Sequence, residues 1–165
     1  PRAVLNEQGF VRLEYSLHNS GYWITGSRTV YLGESNQQAE IAWSNNQTLK
    51  NIALKKLRTG VKANEVYSAV LKASEESNIP FWQGADLGHG VGTSERELPY
   101  LAPYDDTELK AGMVIALGIY TYGPKEELIC NKDVYLITDG EPKLLNWYKN
   151  WEDLYVLYGT SARHG

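Results

Sequence analysis

The segment Gly88-His89-Gly90-Val91-Gly92 constrains the fold of this chain more than any other feature. Three glycines around one histidine are typical of backbone that another chain segment approaches closely, because glycine lacks a Cβ and tolerates unusual φ angles. A strand interrupted in this way presents one imidazole, that of His89, into a cleft. Shortly afterwards, Arg96-Glu97-Leu98-Pro99 adds a cation and a carboxylate. We therefore predict that the chain is organised around a cleft at His89.

Composition and charge limit the classes of protein to which the chain can belong and the partners that it can bind. The chain has 165 residues and a formal net charge of −4, which fits one globular domain with a substantial core. No apolar run approaches the ~20 residues that a membrane span needs, so we expect no membrane partner. The basic cluster at residues 55–58 is too small for a nucleic-acid surface, so we expect no nucleic-acid partner. A single cysteine, Cys130, permits no internal disulfide and suits the cytoplasm.

An alternating pattern near the N-terminus predicts a β-hairpin. Residues 10–17 predict a half-buried strand with one apolar face. Residues 22–32 are rich in aromatic and β-branched side chains and predict its partner, because residues 18–21 have turn composition. The apolar face of the first strand comprises Val11, Leu13, Tyr15 and Leu17.

Two helical patterns follow the hairpin. In the first, apolar residues recur at helical spacing through residues 49–57, and Gly60 is placed to end the helix. The second covers about residues 64–77, with Asn64 as its predicted N-cap. Both patterns have one apolar stripe, which is typical of helices with one buried face.

Strands dominate the second half of the predicted fold. Residues 110–122 and 127–138 predict two antiparallel strands joined at Gly123-Pro124, and residues 143–145 predict a short further strand. The aromatic tail, residues 146–158, fits a strand and a short helix equally well. We predict one domain over residues 1–165, divided into a strand hairpin (1–33), a helix pair (34–78), further strands (79–146) and the aromatic tail (147–165).

Four motifs, in this order, resemble the pita-bread metallopeptidases, which include methionine aminopeptidase, aminopeptidase P, prolidase and creatinase. The glycine-histidine segment resembles that family's Gly-His-Gly-Ile/Val-Gly signature, although Arg96 replaces its second histidine while Glu97 and Pro99 are kept. The resemblance implies an α+β pita-bread fold, in which a mostly antiparallel curved sheet carries helices on one face. The family's first unit has no counterpart in these residues, so we expect a truncated version of the fold. The other three motifs are Gly21-Tyr22 with Ser27-Arg28-Thr29, Leu57-Arg58-Thr59-Gly60-Val61 with Glu65-Val66, and Gly112-Met113-Val114.

The resemblance also implies where two divalent metals bind in active relatives. The family's two aspartates, one histidine and two glutamates correspond here to Glu14, Thr25, His89, Gly118 and Lys132, with Asp133 adjacent to the last position. The family sets four carboxylates against the two cations, whereas these five residues carry no net charge. An ammonium about 4 Å from a divalent cation costs roughly 8 kcal/mol at an effective dielectric of 20. We therefore predict that no metal cofactor binds, and that Glu14 and Lys132 form an ion pair near His89.

Two function classes stay open from the sequence. The first is a catalytically inactive homologue of the aminopeptidases and prolidases, which binds a peptide or protein partner through a remnant cleft containing His89, Arg96 and Glu97. The second is an active aminopeptidase or Xaa-Pro dipeptidase relative with an unrecognised site. Creatinase-type chemistry is disfavoured, because its glutamate corresponds to Gly118. Hydrophobic surface left uncovered by the missing unit predicts a homo-oligomer or pairing with another chain, and Arg28 is expected to form a structural ion pair.

Overall fold

The structure is a computed structural model that describes residues 8–146 and 152–158. Within these residues the strands form three groups, ordered β1-β2-β10, β4-β3-β5-β8-β9 and β6-β7. Neither helix of the described part is long and apolar enough to cross a membrane. The elements are β1 Gly9–Asn19, β2 Tyr22–Leu32, α1 Gln37–Lys56, α2 Ala63–Ser77, β3 Gly88–Gly90, β4 Glu97–Tyr100, β5 Val114–Leu117, β6 Thr121–Tyr122, β7 Leu128–Ile129, β8 Asp133–Leu136, β9 Lys143–Leu144 and β10 Val156–Leu157.

The predicted N-terminal hairpin is confirmed. β1 and β2 pair antiparallel without a break from Gly9↔Leu32 to Asn19↔Tyr22. Ser20 and Gly21 both have positive φ, 51° and 87°, because a two-residue hairpin turn of this hand requires left-handed backbone at its two central positions. The turn composition predicted from the sequence therefore sets the register of the whole hairpin.

The predicted burial of the apolar face of β1 is wrong. Leu13, Tyr15 and Leu17 are 61%, 39% and 58% exposed. Helix α1 packs against the other end of the hairpin, in a cluster that includes Phe10 and Tyr31. The alternation of side chains is as predicted, but no described element covers the half of β1 near the turn.

Helix α1 begins where its cap predicts and ends earlier than expected. The Asn36 side chain accepts a hydrogen bond from the Ala39 N–H at 2.9 Å, which satisfies a free donor of the first turn. Leu57 is the C-cap, so the prediction that Gly60 ends the helix is wrong. Gly60 instead has a φ of 84° in the connection to α2, where its N–H donates to the Leu109 carbonyl at 2.9 Å.

Helix α2 is confirmed, but its N-cap is not Asn64. The helix begins one residue earlier, with Lys62 at the N-cap position and no side-chain cap. The N–H groups of Ala63 and Asn64 donate to the carbonyls of Thr107 and Asp105. Carbonyl groups of a loop from the second half of the chain therefore take the place of a capping side chain. Local sequence pattern does not predict this contact, because its partners are distant in sequence.

The close backbone approach predicted at the glycine-histidine segment is confirmed. β3 lies between β4 and β5. A Cβ on Gly88 would lie 2.4 Å from the Ala116 carbonyl oxygen, and one on Gly90 would lie 2.4 Å from that of Leu98. Only glycine fits both positions, because these neighbours are backbone atoms that cannot rotate away.

The long strand pair predicted after residue 110 is interrupted in the middle. Its outer part is the β6–β7 ribbon and its inner part is the β5–β8 pair. At the interruption the Gly118 N–H donates to the Leu87 carbonyl, and Lys132 exchanges backbone hydrogen bonds with Ser27. The pairing between the two predicted strands stops at this point, and Lys132 pairs with the N-terminal hairpin instead.

The structure describes the aromatic tail in part, at residue 146 and residues 152–158. β10 pairs parallel with the end of β2 at Tyr31 and Leu32, so this portion is a strand. Trp147, Tyr148 and Trp151 lie outside the described residues, as do residues 159–165.

The principal core lies between the helices and the five-stranded sheet. It includes Leu49, Ala53, Val66, Val70, Leu101, Ile115, Leu117 and Ile137.

We expect Gly90→Ala to lower the free energy of unfolding by about 1–3 kcal/mol, the usual range for overpacking. The new methyl group would require the β4 backbone to move. Gly140→Ala is the matched control, because no atom lies within 4 Å of a Cβ there, and it should change stability by less than about 0.5 kcal/mol. Urea unfolding followed by circular dichroism measures both variants, and equal effects would contradict the packing argument.

Candidate binding cleft

The candidate cleft is the group formed by Arg12, Glu14, Trp82, Tyr120 and Lys132, and it lies where the hairpin meets the residue before β8. Ser27 of β2 lies opposite Glu14 of β1, and Lys132 exchanges two backbone hydrogen bonds with Ser27, both 3.2 Å. Glu14, Ser27 and Lys132 therefore lie side by side on three neighbouring segments. The charged side chains of Glu14 and Lys132 point to the same face. Lys132 Nζ lies 2.6 Å from Glu14 Oε1. The predicted Glu14–Lys132 ion pair is confirmed.

Two further side chains hold the Glu14 carboxylate. The Tyr120 hydroxyl donates to Glu14 Oε1 at 3.1 Å, and an Arg12 nitrogen lies 3.7 Å from Oε2. Burial by itself would raise the pKa of Glu14, but the hydrogen bond and charge of Lys132, with help from Tyr120 and Arg12, hold this pKa below its usual value. The carboxylate is therefore ionised at neutral pH, and it keeps an exposed side, since 38% of the side chain is accessible to solvent.

Aromatic rings form the exposed margin of the cleft. The Arg12 guanidinium lies over the Tyr120 ring, 4.7 Å from its centroid. The Trp82 ring meets Tyr120 edge to face, with centroids 5.7 Å apart at 82°, and it is 40% exposed. These contacts fix an indole at the surface beside the charged group, in a geometry that aromatic pairs prefer.

His89 is buried on β3, with 2% of its surface exposed. Its Nδ1 is 3.0 Å from the Gly90 carbonyl, which can only accept, so the proton lies on Nδ1. Burial lowers the pKa of His89, and this effect exceeds that of the Gly90 hydrogen bond, which raises it; the charges of Arg96 and Lys132 lower the pKa further, and that of Asp86 opposes them. The imidazole is neutral at pH 7, and its Nε2 lone pair has no partner among the described residues.

The two remaining family ligand positions offer no carboxylate and no free hydroxyl. A Cβ on Gly118 would lie 2.9 Å from Lys132 Cβ and 2.9 Å from the Cys130 sulfur, so the lysine stem fills the space beside this glycine. The Thr25 hydroxyl donates to the Tyr15 carbonyl at 3.1 Å. Thr25 is 3% exposed, and its hydroxyl is used within the hairpin.

Arg96 and Glu97, predicted to belong to the remnant cleft, are engaged elsewhere. Arg96 forms an ion pair with Asp86 and affects His89 through its charge alone. Glu97 Oε2 accepts from the Ser94 N–H at 3.2 Å, which closes the loop before β4. The described structure therefore gives both side chains local roles and no contact with Glu14 or Lys132.

The side chain of Asp133 points to the opposite face of the strand. Side chains alternate along a strand, so Lys132 faces the cleft while Asp133 faces helix α1. There the Asp133 carboxylate forms ion pairs with Arg28 and Lys50, and Asn146 Nδ2 lies 3.3 Å from Oδ1. The expectation of a structural ion pair for Arg28 is confirmed, and Lys132 occupies the cleft position.

The donor set at this cleft does not fit the two metals implied by the family resemblance. One carboxylate, one imidazole and one ammonium replace five ligands, and the ammonium is hydrogen-bonded to the carboxylate. Within residues 8–146 and 152–158, no three His, Cys, Asp or Glu side chains gather closely enough to hold a metal ion. We therefore derive no step through a metal.

Sequence reasoning missed Tyr120, Arg12 and Trp82. Two signals could have found the first two. Arg12 precedes Glu14 by two residues on a predicted strand and so shares its face, and Tyr120 follows Gly118 at the same spacing. Nothing local places Trp82 there, because its contact with Tyr120 depends on pairing across 38 residues.

The fold has counterparts among known proteins. The model of metallopeptidase family M24 matches residues 1–139. This chain belongs to metallopeptidase family M24. It is 30% identical over 119 residues to the Xaa-Pro dipeptidase of Pyrococcus furiosus, covering 72% of this chain and 34% of that protein.

Solved structures confirm the pita-bread resemblance of this M24 chain. The dipeptidase PepE of Mycobacterium ulcerans superposes with a TM-score of 0.83 at 22% identity, covering 94% of this chain and 42% of that one. The prolidase of Pyrococcus furiosus gives 0.77 at 27% identity, covering 86% and 42%. The chain thus spans only about a third to two-fifths of the length of the relatives it matches.

We expect a double-mutant cycle of Glu14→Gln and Lys132→Met in this M24 chain to give a coupling of about 1 kcal/mol in unfolding free energy. The lysine side chain is 10% exposed and the glutamate 38%, so solvent screening limits the value. The control cycle uses the exposed Lys72 and Glu76 pair on α2, which should couple by about 0.3–0.5 kcal/mol. A coupling at the cleft no larger than the control would contradict a directly bonded pair.

We also expect unfolding free energy to fall as pH decreases below about 6.5, the usual pKa of histidine. Because the pKa of His89 is lowered in the folded state, the unfolded state takes up the proton first. His89 therefore contributes stability that is complete above the unfolded pKa and is lost as pH falls through the folded pKa. His89→Gln should flatten the slope of unfolding free energy between pH 7 and pH 5, and an unchanged slope would refute this assignment.

Proposed function

We propose that this M24 chain is a catalytically inactive homologue of the metal-dependent aminopeptidases and prolidases, and that its cleft binds a peptide or protein segment. The observation that carries the proposal is the 2.6 Å contact between Lys132 Nζ and Glu14 Oε1. An ammonium at a position where the family places a metal ligand supplies the positive charge that the metal otherwise supplies. The single buried thiol, Cys130, supports a cytoplasmic location as part of this proposal.

Electrostatics support the loss of metal binding. A divalent cation would have to displace Lys132 from Glu14 and leave an ammonium beside itself in a partly buried site. Discharging that lysine at pH 7 costs about 4–5 kcal/mol from its ordinary pKa. Thr25 and Gly118 provide no carboxylate that would offset this cost, and the Thr25 hydroxyl already donates to a backbone carbonyl.

The margin of the cleft supports binding of a peptide segment. Trp82 is held edge to face against Tyr120, and Arg12 stacks on the same tyrosine. A fixed, half-exposed indole loses little conformational entropy when it is covered, so it is suited to contact a side chain of a partner. Glu14, Lys132 and Arg12 beside it offer charges of both signs to the ends or side chains of that partner.

One observation favours the alternative, an active hydrolase of aminopeptidase or Xaa-Pro dipeptidase type. His89 is neutral, and its Nε2 has no partner among the described residues, as a general base requires. The matched relative is named an Xaa-Pro dipeptidase. Against this alternative stands the absence, among residues 8–146 and 152–158, of any nucleophile or carboxylate hydrogen-bonded to that nitrogen.

Metal content and hydrolysis separate the two proposals. We expect the purified chain to carry no stoichiometric Mn, Co or Zn by elemental analysis, and to leave Met- and Xaa-Pro dipeptides intact in the presence of added Mn or Co. Release of amino acids that disappears in His89→Gln would establish the alternative.

Restoring carboxylates tests the positional assignment. Thr25→Asp with Lys132→Glu leaves Glu14 and His89 in place and should create a Mn or Co site measurable by calorimetry. The isosteric pair Thr25→Asn with Lys132→Gln is the matched control and should bind no metal. Adding Gly118→Glu completes the family's donor set, and circular dichroism must show that this crowded variant folds.

Peptide binding has its own test. Trp82→Ala should weaken the tightest ligand of a random-peptide display at least tenfold, because it removes the anchoring ring without touching the Glu14–Lys132 pair. Leu98→Ala is the control, since Leu98 is 65% exposed and lies on β4, which contributes no residue to the cleft. Equal affinity in both variants would refute the assignment of the cleft as the binding surface.

A further inference from the structure

We propose that a cavity at the C-terminal end of α1 binds a small organic phosphate ester. The cavity has a volume of about 860 Å³ and lies between the end of α1 and the connection from β8 to β9. Pockets that hold small molecules usually have volumes of about 300–1,000 Å³. Tyr135 lines the cavity and shares a face of β8 with Asp133, whereas Lys132 of the cleft points to the other face. The inference is therefore independent of the proposed function.

Three cationic side chains line this cavity. Lys55 and Lys56 belong to the last turn of α1, and Arg58 lies two residues beyond it. None of the three forms an ion pair with a described residue, and none uses its side chain in a hydrogen bond with one. One carboxylate, that of Glu141, also lines the cavity. Three positive charges and one negative charge leave a formal charge of +2 there, in a chain whose net charge is −4.

The helix alone does not account for all three cations. The C-terminal end of a helix carries a partial negative charge, which cations in the last turn offset. Lys55 and Lys56 fit this role, but Arg58 lies beyond the helix. Like charges around one cavity repel each other, and Glu141 compensates only one of them. An anion in the cavity would relieve the remaining repulsion.

The walls of the cavity suit an organic group beside the charges. Leu54 and Pro142 line it and are half-buried. Tyr135 also lines it, is 6% exposed and belongs to the principal core. The Tyr135 hydroxyl has no hydrogen-bond partner among the described residues and is not sealed from solvent. Burial raises the pKa of Tyr135, so this hydroxyl keeps its proton at neutral pH and can donate to a ligand.

The charge of the cavity favours a phosphate ester over other small anions. A phosphate monoester carries about −1.5 to −2 charges at pH 7, which matches the +2 of the cavity, whereas a carboxylate carries only one. Its terminal oxygens can accept hydrogen bonds from Lys55, Lys56 and Arg58, and a guanidinium binds phosphate through two parallel hydrogen bonds. The organic group of the ester would then lie against Leu54 and Pro142. Inorganic phosphate would leave those apolar side chains uncovered.

Titration with phenyl phosphate tests the class of ligand. In nitrogen-15 NMR spectra of the full chain, it should shift the amide resonances of Gly140 and Glu141 in a saturable way. Inorganic phosphate should bind at least tenfold more weakly because it lacks the apolar group, and benzoate should do so because it carries less charge. No shift at about 10 mM phenyl phosphate, well above a Kd of about 1 mM for weak specific binding, would overturn the proposal. Equal affinity for inorganic phosphate would also overturn it.

Charge variants test the location. Lys56→Gln with Arg58→Gln should weaken the binding of phenyl phosphate at least tenfold. Lys62→Gln with Lys110→Gln is the matched control, because it removes the same charge from two exposed lysines that do not line the cavity, and it should leave the affinity unchanged. Glu141→Gln should tighten binding, because it removes the only carboxylate among the lining residues. Equal losses in the two double variants, or weaker binding in Glu141→Gln, would overturn the proposed site.

Discussion

The backbone contact between Ser27 and Lys132 is the interaction on which the arrangement of this molecule depends. It joins the N-terminal hairpin to the five-stranded sheet through two hydrogen bonds, with the Ser27 hydroxyl donating in addition to the Cys130 carbonyl at 3.0 Å. These hydrogen bonds fix the position of the strand that runs through Lys132 and the direction in which its side chains point. Neighbouring residues of a strand point to opposite sides. This one contact therefore determines that the Lys132 side chain faces the cleft and that the Asp133 side chain faces helix α1.

Those two charges have different consequences. On one side Asp133 is buried with Arg28 and Lys50, and losing one partner from such a group leaves an uncompensated charge, at a cost of about 3–5 kcal/mol. On the other side Lys132 reaches a carboxylate that is 38% exposed, where water screens the attraction. The buried group therefore holds the sheet against helix α1, whereas the Glu14–Lys132 pair contributes little to stability.

Much of this fold could be predicted from local pattern, and the failures share a cause. Alternation and turn composition predict the hairpin, and helical spacing predicts α2, because these signals depend on neighbouring residues. Three predictions were wrong: the N-cap at Asn64, the end of α1 at Gly60 and the burial of Leu13. Each of these features depends on whether a distant segment of the chain makes a contact there. Family resemblance and charge together predict the Glu14–Lys132 pair. Neither predicts Lys50 as a partner of Asp133, since a lysine on a helix is ordinarily solvent-exposed.

The missing Cβ at Gly118 links two positions of the chain that are 14 residues apart in sequence. While Lys132 lies beside it, any larger residue at position 118 meets the lysine stem and the Cys130 sulfur. A side chain can therefore be added at position 118 only if the residue at position 132 becomes smaller or moves. The two positions cannot be varied independently, so a substitution series at one of them is interpretable only with the other held fixed or changed with it.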